Sequence, residues 1–180
     1  MIKSKEDYLS YVEVDRKANK IISFASSLRI TWKYLKALRR YEFLLNTDAK
    51  FPIFRKVSLA FARLRLHSLS VKSGLQIPPN TFGKGLYVPH YGTIVVNETC
   101  RFGDGCVVQQ GVNISENVSG GNHLYFGAGC KIIRNVKIAD DVIIGANAVV
   151  TKDIIEDDVV FAGIPAKKIS DNGYKNREAV

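Results

Sequence analysis

From Val96 to Ile155 an apolar residue returns at every sixth position for ten consecutive hexads. The leading residues are Val96, Phe102, Val108, Ile114, Gly120, Phe126, Ile132, Ile138, Ile144 and Val150, and only Gly120 is not a large apolar residue. Four positions after each leader stands a second small or apolar residue: Cys100, Cys106, Val112, Val118, Leu124, Cys130, Val136, Val142, Ala148 and Ile154. A period of six fits neither an amphipathic helix nor a half-buried alternating strand, so it identifies an internal repeat. Hexapeptide repeats of this kind wind into a parallel β-helix, three short strands to a coil, with inward side chains stacked along the axis. Segments such as Gly103-Asp104-Gly105 and Ala139-Asp140-Asp141 provide the bends between strands.

The pattern weakens in two places. Upstream, the hexads led by Phe82 and Val88 are irregular, and the step from Val88 to Val96 is eight residues, which puts two extra residues just after His90. Departures from a strict repeat are where a functional loop is expected. Downstream, the pattern loosens through Glu156-Asp157-Asp158, closes with Val160 to Lys168, and gives way to a polar tail expected to cover the far end of the prism.

Residues 1–73 read as helices: a polar segment from Glu6 to Ile22, and a stronger one from Leu28 to Leu45 with Leu28, Trp32, Leu35 and Leu38 at helical spacing. Asn46-Thr47-Asp48 and Pro52 mark a break, a further helix is expected from Phe54 to about Val71, and Gly74 ends it. The expected organisation is therefore a helical region over 1–73, a β-helix over 74–170 and a polar tail over 171–180. The fold class is mainly β, with a short N-terminal α-helical region.

Charge divides the chain in the same way. Residues 1–76 hold 16 Lys and Arg against 6 Asp and Glu, and residues 77–180 hold 10 against 11, so the net charge of +9 belongs to the N-terminal part. Arg29, Lys33, Lys36 and Arg40 form one stripe on the predicted second helix. The stripe reads either as a solvated face or as a surface for anionic lipid headgroups or a polyprenyl-diphosphate-linked sugar. Nothing resembles a nucleic-acid module. The start of the chain lacks the apolar core of a secretory signal and no apolar run is long enough to span a bilayer. A cytoplasmic location follows as the expectation, with peripheral contact at the inner membrane face through the basic helices. The three cysteines occupy inward hexad positions and read as core filler. The three histidines, His67, His90 and His123, are too scattered to converge on a metal.

The hexads, the stretch from Val88-Pro89-His90 to Asn97-Glu98-Thr99, and Gly163-Ile164-Pro165-Ala166-Lys167 resemble the serine acetyltransferase branch of the left-handed β-helix acyltransferases over about residues 76–168. The resemblance implies a left-handed prism, a homotrimer, and acetyl-CoA as co-substrate in the groove between neighbouring prisms. By the same likeness His90 is the catalytic histidine. The backbone around Gly127, Ala128 and Ala146 would contact the pantetheine arm, and Lys167 and Lys168 would meet CoA phosphates unless they are a solvated pair. Gln110 matches a position near the active site, although a solvent-facing role fits it equally.

The sequence departs from that family at several points. Pro89 stands where the family has Asp before the catalytic His, and Gln76 stands where a second Asp orients the imidazole. The loop that carries the serine-carboxylate ligands is absent or shortened, because Ile114 to Tyr125 continues in register. His123 lies in the Gly-rich hexad that opens at Gly120, as a second active-site residue or a turn residue. Tyr91, beside His90, joins Gln76, Gln110 and His123 as a candidate substrate or positioning residue.

A hydroxyl attacks a thioester only if its proton is removed as the bond forms. An imidazole, with an ordinary pKa near 6.5, supplies that base at neutral pH. The expected reaction is direct O-acetyl transfer with His90 as general base. Short-headed relatives in that family commonly act in capsule, O-antigen or exopolysaccharide synthesis, so the resemblance implies a saccharide hydroxyl as the acceptor, and the lost loop and Pro89 point the same way. Serine O-acetylation for cysteine synthesis is the alternative, and a non-catalytic hexapeptide scaffold a further one.

Overall fold

The computed structural model describes residues 1–47 and 52–175. Asp48, one of the residues expected to break the helices, and the end of the tail at 176–180 lie outside them.

Among the described residues four helices precede the repeats: α1 (Lys5–Ala18), α2 (Phe24–Ser27), α3 (Ile30–Asn46) and α4 (Pro52–Ser73). Ser4 caps α1 by accepting from the Asp7 N–H, and the Asp7 carboxylate accepts in return from the Ser4 N–H, a reciprocal pair that fixes the helix start. The expected polar helix to Ile22 ends early. Asn19 caps it and Lys20 turns the chain with φ 53°, so that α2 forms separately. Leu28 is the C-cap of α2 and half exposed, whereas Trp32, Leu35 and Leu38 of α3 are buried.

The hexads form short strands: β1 (Leu75–Gln76), β2 (Ile94–Val96), β3 (Arg101–Phe102), β4 (Val107–Val108), β5 (Asn113–Ile114), β6 (Ser119–Gly120), β7 (Tyr125–Phe126), β8 (Lys131–Ile132), β9 (Lys137–Ile138), β10 (Ile143–Ile144) and β11 (Val149–Val150). They stack in parallel as three faces. The first runs β1-β2-β5-β8-β11, the second β3-β6-β9 and the third β4-β7-β10. The third face is extended by β12 (Val160–Ala162), parallel to β10, and by β13 (Lys167–Ser170), which turns back antiparallel. The result is a parallel β-solenoid.

Each leader is the last residue of its strand and points inward, and every residue four positions on is buried as well. Each fully buried aliphatic or aromatic side chain contributes about 1.5–3 kcal/mol, and coil-on-coil stacking makes that burial continuous. Coils repeat at 18 residues where Val95 pairs with Asn113 and Asn113 with Lys131. Above them Phe82 aligns with Phe102 and Tyr87 with Val107, a spacing of 20 that accommodates the two extra residues near His90.

Gly120 does not make its coil bulge. Ser119–Gly120 sits in register between Arg101–Phe102 and Lys137–Ile138. A side chain at Gly120 would meet Leu124 Cδ1 at 2.5 Å and Phe102 Cδ1 at 2.8 Å. Phe102 thus fills the missing position from the coil above, stacked on Phe82 at 4.7 Å and edge-on to Phe126 at 5.3 Å.

The helices close the first coil through a buried polar clamp. Arg39, only 1 % exposed, donates to Asp15 at 2.8 Å, to Glu42 at 3.0 Å and to the Phe82 carbonyl at 3.0 Å. Asp15 accepts from the Gly85 and Leu86 N–H groups, and Asn19 bonds both Leu86 and Val88. The Tyr34 hydroxyl donates to the Ile77 carbonyl and accepts from its N–H, both at 2.9 Å. These bonds hold α1 and α3 against the strand that leads to His90. The described residues of the tail do not cover the far end as expected. Through Lys175 it folds back along the third face, with Tyr174 N–H on the Asp141 carbonyl at 2.7 Å.

Candidate functional site

His90 stands immediately before the two-residue insertion, where the chain passes from the third face of the first coil to the first face of the second. That loop is anchored where Gly92 N–H donates to the Ser73 carbonyl at 2.8 Å and Ile94 N–H to the Gly74 carbonyl at 3.0 Å. The approach is close enough that a Cβ on Gly74 would lie 2.8 Å from the Gly92 carbonyl, and Gly74 has φ 76°. Glycine is needed there, and it sets the exit of α4 and the height of the His90 loop together.

A groove of about 690 Å³ opens beside the imidazole, lined by Arg29, Tyr87, Pro89, His90, Gln109, Tyr125, Ile143 and Tyr174. Its floor is formed by Tyr87, Tyr125 and Ile143 from the outward ladder of the third face, in which Val107 lies between the two tyrosines, and Tyr174 joins them from the returning tail. Gln109 donates to the Tyr125 hydroxyl at 3.0 Å, which fixes both groups. Arg29, at the N-terminus of α3, brings a guanidinium to the same groove and leans on the Asn19 carbonyl at 3.4 Å. His90 is exposed and makes no side-chain hydrogen bond among the described residues. The groove therefore offers an apolar aromatic wall, one imidazole and one permanent cation.

The other sequence candidates distribute unevenly. Gln110 is exposed beside Gly92, and its neighbour Gln109 is the one that enters the groove. Gln76 points outward from the first face, and Tyr91 is 73 % exposed; neither lines the groove. His123 sits at a different corner, with φ 51°, its Nδ1 3.1 Å from Asp141 Oδ1. Its cleft, of about 400 Å³, is made with Val14, Lys17 and Ala18 of α1 and is divided from the His90 groove by Tyr87 and Tyr174, which line both. His67 is exposed on α4. Arg29 and Tyr174 were not anticipated as groove residues. In the sequence Arg29 belongs to a helix stripe and Tyr174 to a polar tail, and only tertiary folding brings them to the groove beside His90.

Ala128 and Ala146 stack at the corner below the His90 loop, with the Asn147 N–H on the Ala128 carbonyl at 2.8 Å. Gly127 is buried, and a Cβ there would reach Ala146 N at 2.7 Å. The N–H groups of Ala128 and Ala146 donate to no partner among the described residues, so this corner presents a short column of free donors. Lys168 is held by Glu156 and Asp171, which raise its pKa through hydrogen bonds and charge, whereas Lys167 is exposed on β13. Cys100, Cys106 and Cys130 are buried free thiols. Burial pushes the last two up to about 12, so they are packing groups and not nucleophiles. Among the described residues no group of three or more His, Cys, Asp or Glu could hold a metal, and no helix is long and apolar enough to cross a membrane.

No protein-family model matches the chain. It is 34 % identical over 122 residues to a serine acetyltransferase of Synechococcus elongatus, a match that takes in 63 % of this chain and 50 % of that protein, so the chain spans about half of that relative's length. A serine acetyltransferase of Staphylococcus aureus is 27 % identical over 168 residues, or 89 % of this chain and 73 % of the relative. Among solved structures, a serine acetyltransferase from Brucella abortus superposes with a TM-score of 0.74 at 21 % identity, over 95 % of this chain and 72 % of that one. The same protein in complex with coenzyme A superposes with a TM-score of 0.72 at 22 % identity, over 95 % and 71 %. The relatives overturn the expected saccharide acceptor: the matched proteins are serine acetyltransferases, and the shortened loop did not signify a sugar. The fold is that of a hexapeptide-repeat acyltransferase, shared with structures named for serine acetylation.

Proposed function

We propose that this chain transfers acetyl from acetyl-CoA to the hydroxyl of L-serine, with His90 as general base and Arg29 as the ligand of the serine carboxylate. The observation that carries this reading is the meeting of an imidazole and a guanidinium in one aromatic groove. The names of the relatives support the same acceptor. In the family this chain resembles, the carboxylate ligands come from a loop that is lost here. Arg29 enters the groove from α3 and supplies the missing charge from another element, since a planar guanidinium suits a carboxylate's two oxygens.

The serine oxygen attacks the thioester carbonyl carbon while its proton passes to the His90 ring. The tetrahedral intermediate then breaks its carbon–sulfur bond, and the imidazolium returns the proton to the departing sulfur, leaving O-acetylserine and the free thiol of CoA. No acyl-enzyme is formed. A base so positioned contributes about 10²–10⁴-fold. The free N–H groups at Ala128 and Ala146 suit the amide carbonyls of the pantetheine arm, and small side chains there let the arm approach. Lys167 is the cation left for a CoA phosphate, because Lys168 is already neutralised. In this reading the chain works as a homotrimer, a neighbouring prism closes the groove, and the acetyl-CoA is drawn from the cytoplasm.

The test is thiol release from acetyl-CoA with L-serine, with serinamide, and with the Arg29→Gln protein. We expect serine to be turned over, and serinamide and Arg29→Gln each to raise the acceptor KM by about tenfold to a hundredfold, the worth of one charged hydrogen bond. Serinamide used as well as serine would remove the carboxylate from recognition. No thiol release with any hydroxyl acceptor would make the chain a scaffold.

A further inference from the structure

The helix α4 carries two opposed apolar seams. One, through Leu59, Ala62, Leu66 and Leu69, is partly or wholly buried on the side that packs against α3. The other runs Val57, Phe61, Leu64 and Val71, spaced so as to share one face, and these residues are 64 %, 67 %, 68 % and 72 % exposed. At about 100° per residue this second seam lies on the far side of the helix, away from the molecule. Exposed Lys56 and Arg63 flank it on one edge, and exposed Arg65 and Lys72 on the other. The helix contains no Asp or Glu, and none of these four cations meets a carboxylate among the described residues.

A second feature adjoins the seam. Between α3 and α4 lies a cleft of about 410 Å³ whose walls include Lys33, Lys36, Arg40, Arg65, Ser58 and Phe61. Four cations face it and no carboxylate does. Lys36 and Arg40 rest on aromatic rings, 5.8 Å from Trp32 and 5.6 Å from Phe43, which orients both cations along the cleft. Phe61 belongs to both the cleft and the seam. The occupant that matches both is an amphiphile with an anionic head and an apolar body. A second copy of α4 does not match, since pairing the seams would press two helices of +5 each against one another.

We propose that α4 docks this protein on anionic phospholipid bilayers, lying in the surface with its exposed seam at the headgroup–acyl boundary and a lipid phosphate in the α3–α4 cleft. The basic side chains on both edges then reach up to the headgroup layer. This surface is not the single α3 stripe that the sequence suggested. Arg29 belongs to the His90 groove, and the other three cations of that stripe line the cleft with Arg65. The proposal does not depend on which acceptor is acetylated.

The test is co-sedimentation of the full chain with vesicles of phosphatidylcholine alone or mixed with phosphatidylglycerol. Binding is expected only with phosphatidylglycerol and is expected to fall as salt rises. Phe61→Ser with Leu64→Ser, and separately Lys36→Gln with Arg40→Gln and Arg65→Gln, should each weaken it by about tenfold or more without moving the thermal unfolding midpoint. Equal binding to neutral vesicles, no binding, or indifference to both variants would overturn the proposal. So would saturation of the cleft by inorganic phosphate without vesicle binding. A change of subunit number in the Phe61→Ser, Leu64→Ser protein would identify the seam as an interface between copies and also overturn it.

Discussion

At the scale of single residues, Gly120 shows how a break in a repeat can conceal a packing solution. Read along the chain, its hexad lacks a leader and suggests a bulge or a ligand. Read across coils, Phe102 and Leu124 occupy the space a side chain would need. The six-residue spacing was legible because each coil repeats it, but the compensation was not, since it depends on which residue stands 18 positions away. Gly120→Val should therefore destabilise the fold by about 1–3 kcal/mol, the cost of overpacking, although it restores the apolar pattern. A lowered urea midpoint with an unchanged m-value would bear this out; a raised midpoint would mean the ring of Phe102 moves aside freely. The same distinction separates Gln109 from Gln110: adjacent in sequence, only the first turns toward the His90 groove.

At the scale of elements, the helices read less clearly than the strands. Trp32, Leu35 and Leu38 are buried as the helical spacing required, but α1 ends at Ala18 and a separate α2 follows. The cause is long-range: the Asn19 side chain bonds Leu86 and Val88, 67 and 69 positions away, and so fixes the turn from outside. The clamp around Arg39 was equally illegible, for a charged residue in a basic helix ordinarily faces solvent. Burial alone would pull that guanidinium's pKa down, but Asp15 and Glu42 outweigh it and hold it up. Arg39→Met should leave both carboxylates buried without their cation and cost about 3–5 kcal/mol. Denaturant unfolding measures this, and a loss below about 1 kcal/mol would mean that water or the remaining bonds replace the guanidinium.

At the scale of the whole molecule, two halves of different charge serve one groove. The prism supplies His90 and the aromatic floor, the helices supply Arg29, and the tail supplies Tyr174. The solenoid and the His90 insertion were written in the spacing, whereas the contributors from outside the repeats appear only after folding. The core also sets a limit at high pH. Burial raises Cys106 and Cys130 from 9.0 to about 12, so in the window between those values the unfolded chain loses protons that the native state keeps. Stability is then full below pH 9 and falls as pH rises through that window. Unfolding free energies measured across it should decline, and Cys106→Ala with Cys130→Ala should flatten the decline. A slope that those substitutions leave unchanged would assign it to other groups. The measurement closest to the central claim is steady-state acetylation of L-serine by the parent chain and by His90→Ala, followed through release of the CoA thiol. We predict a loss of about 10²–10⁴-fold in kcat with CoA affinity and subunit number unchanged; turnover within a few-fold of the parent would contradict it.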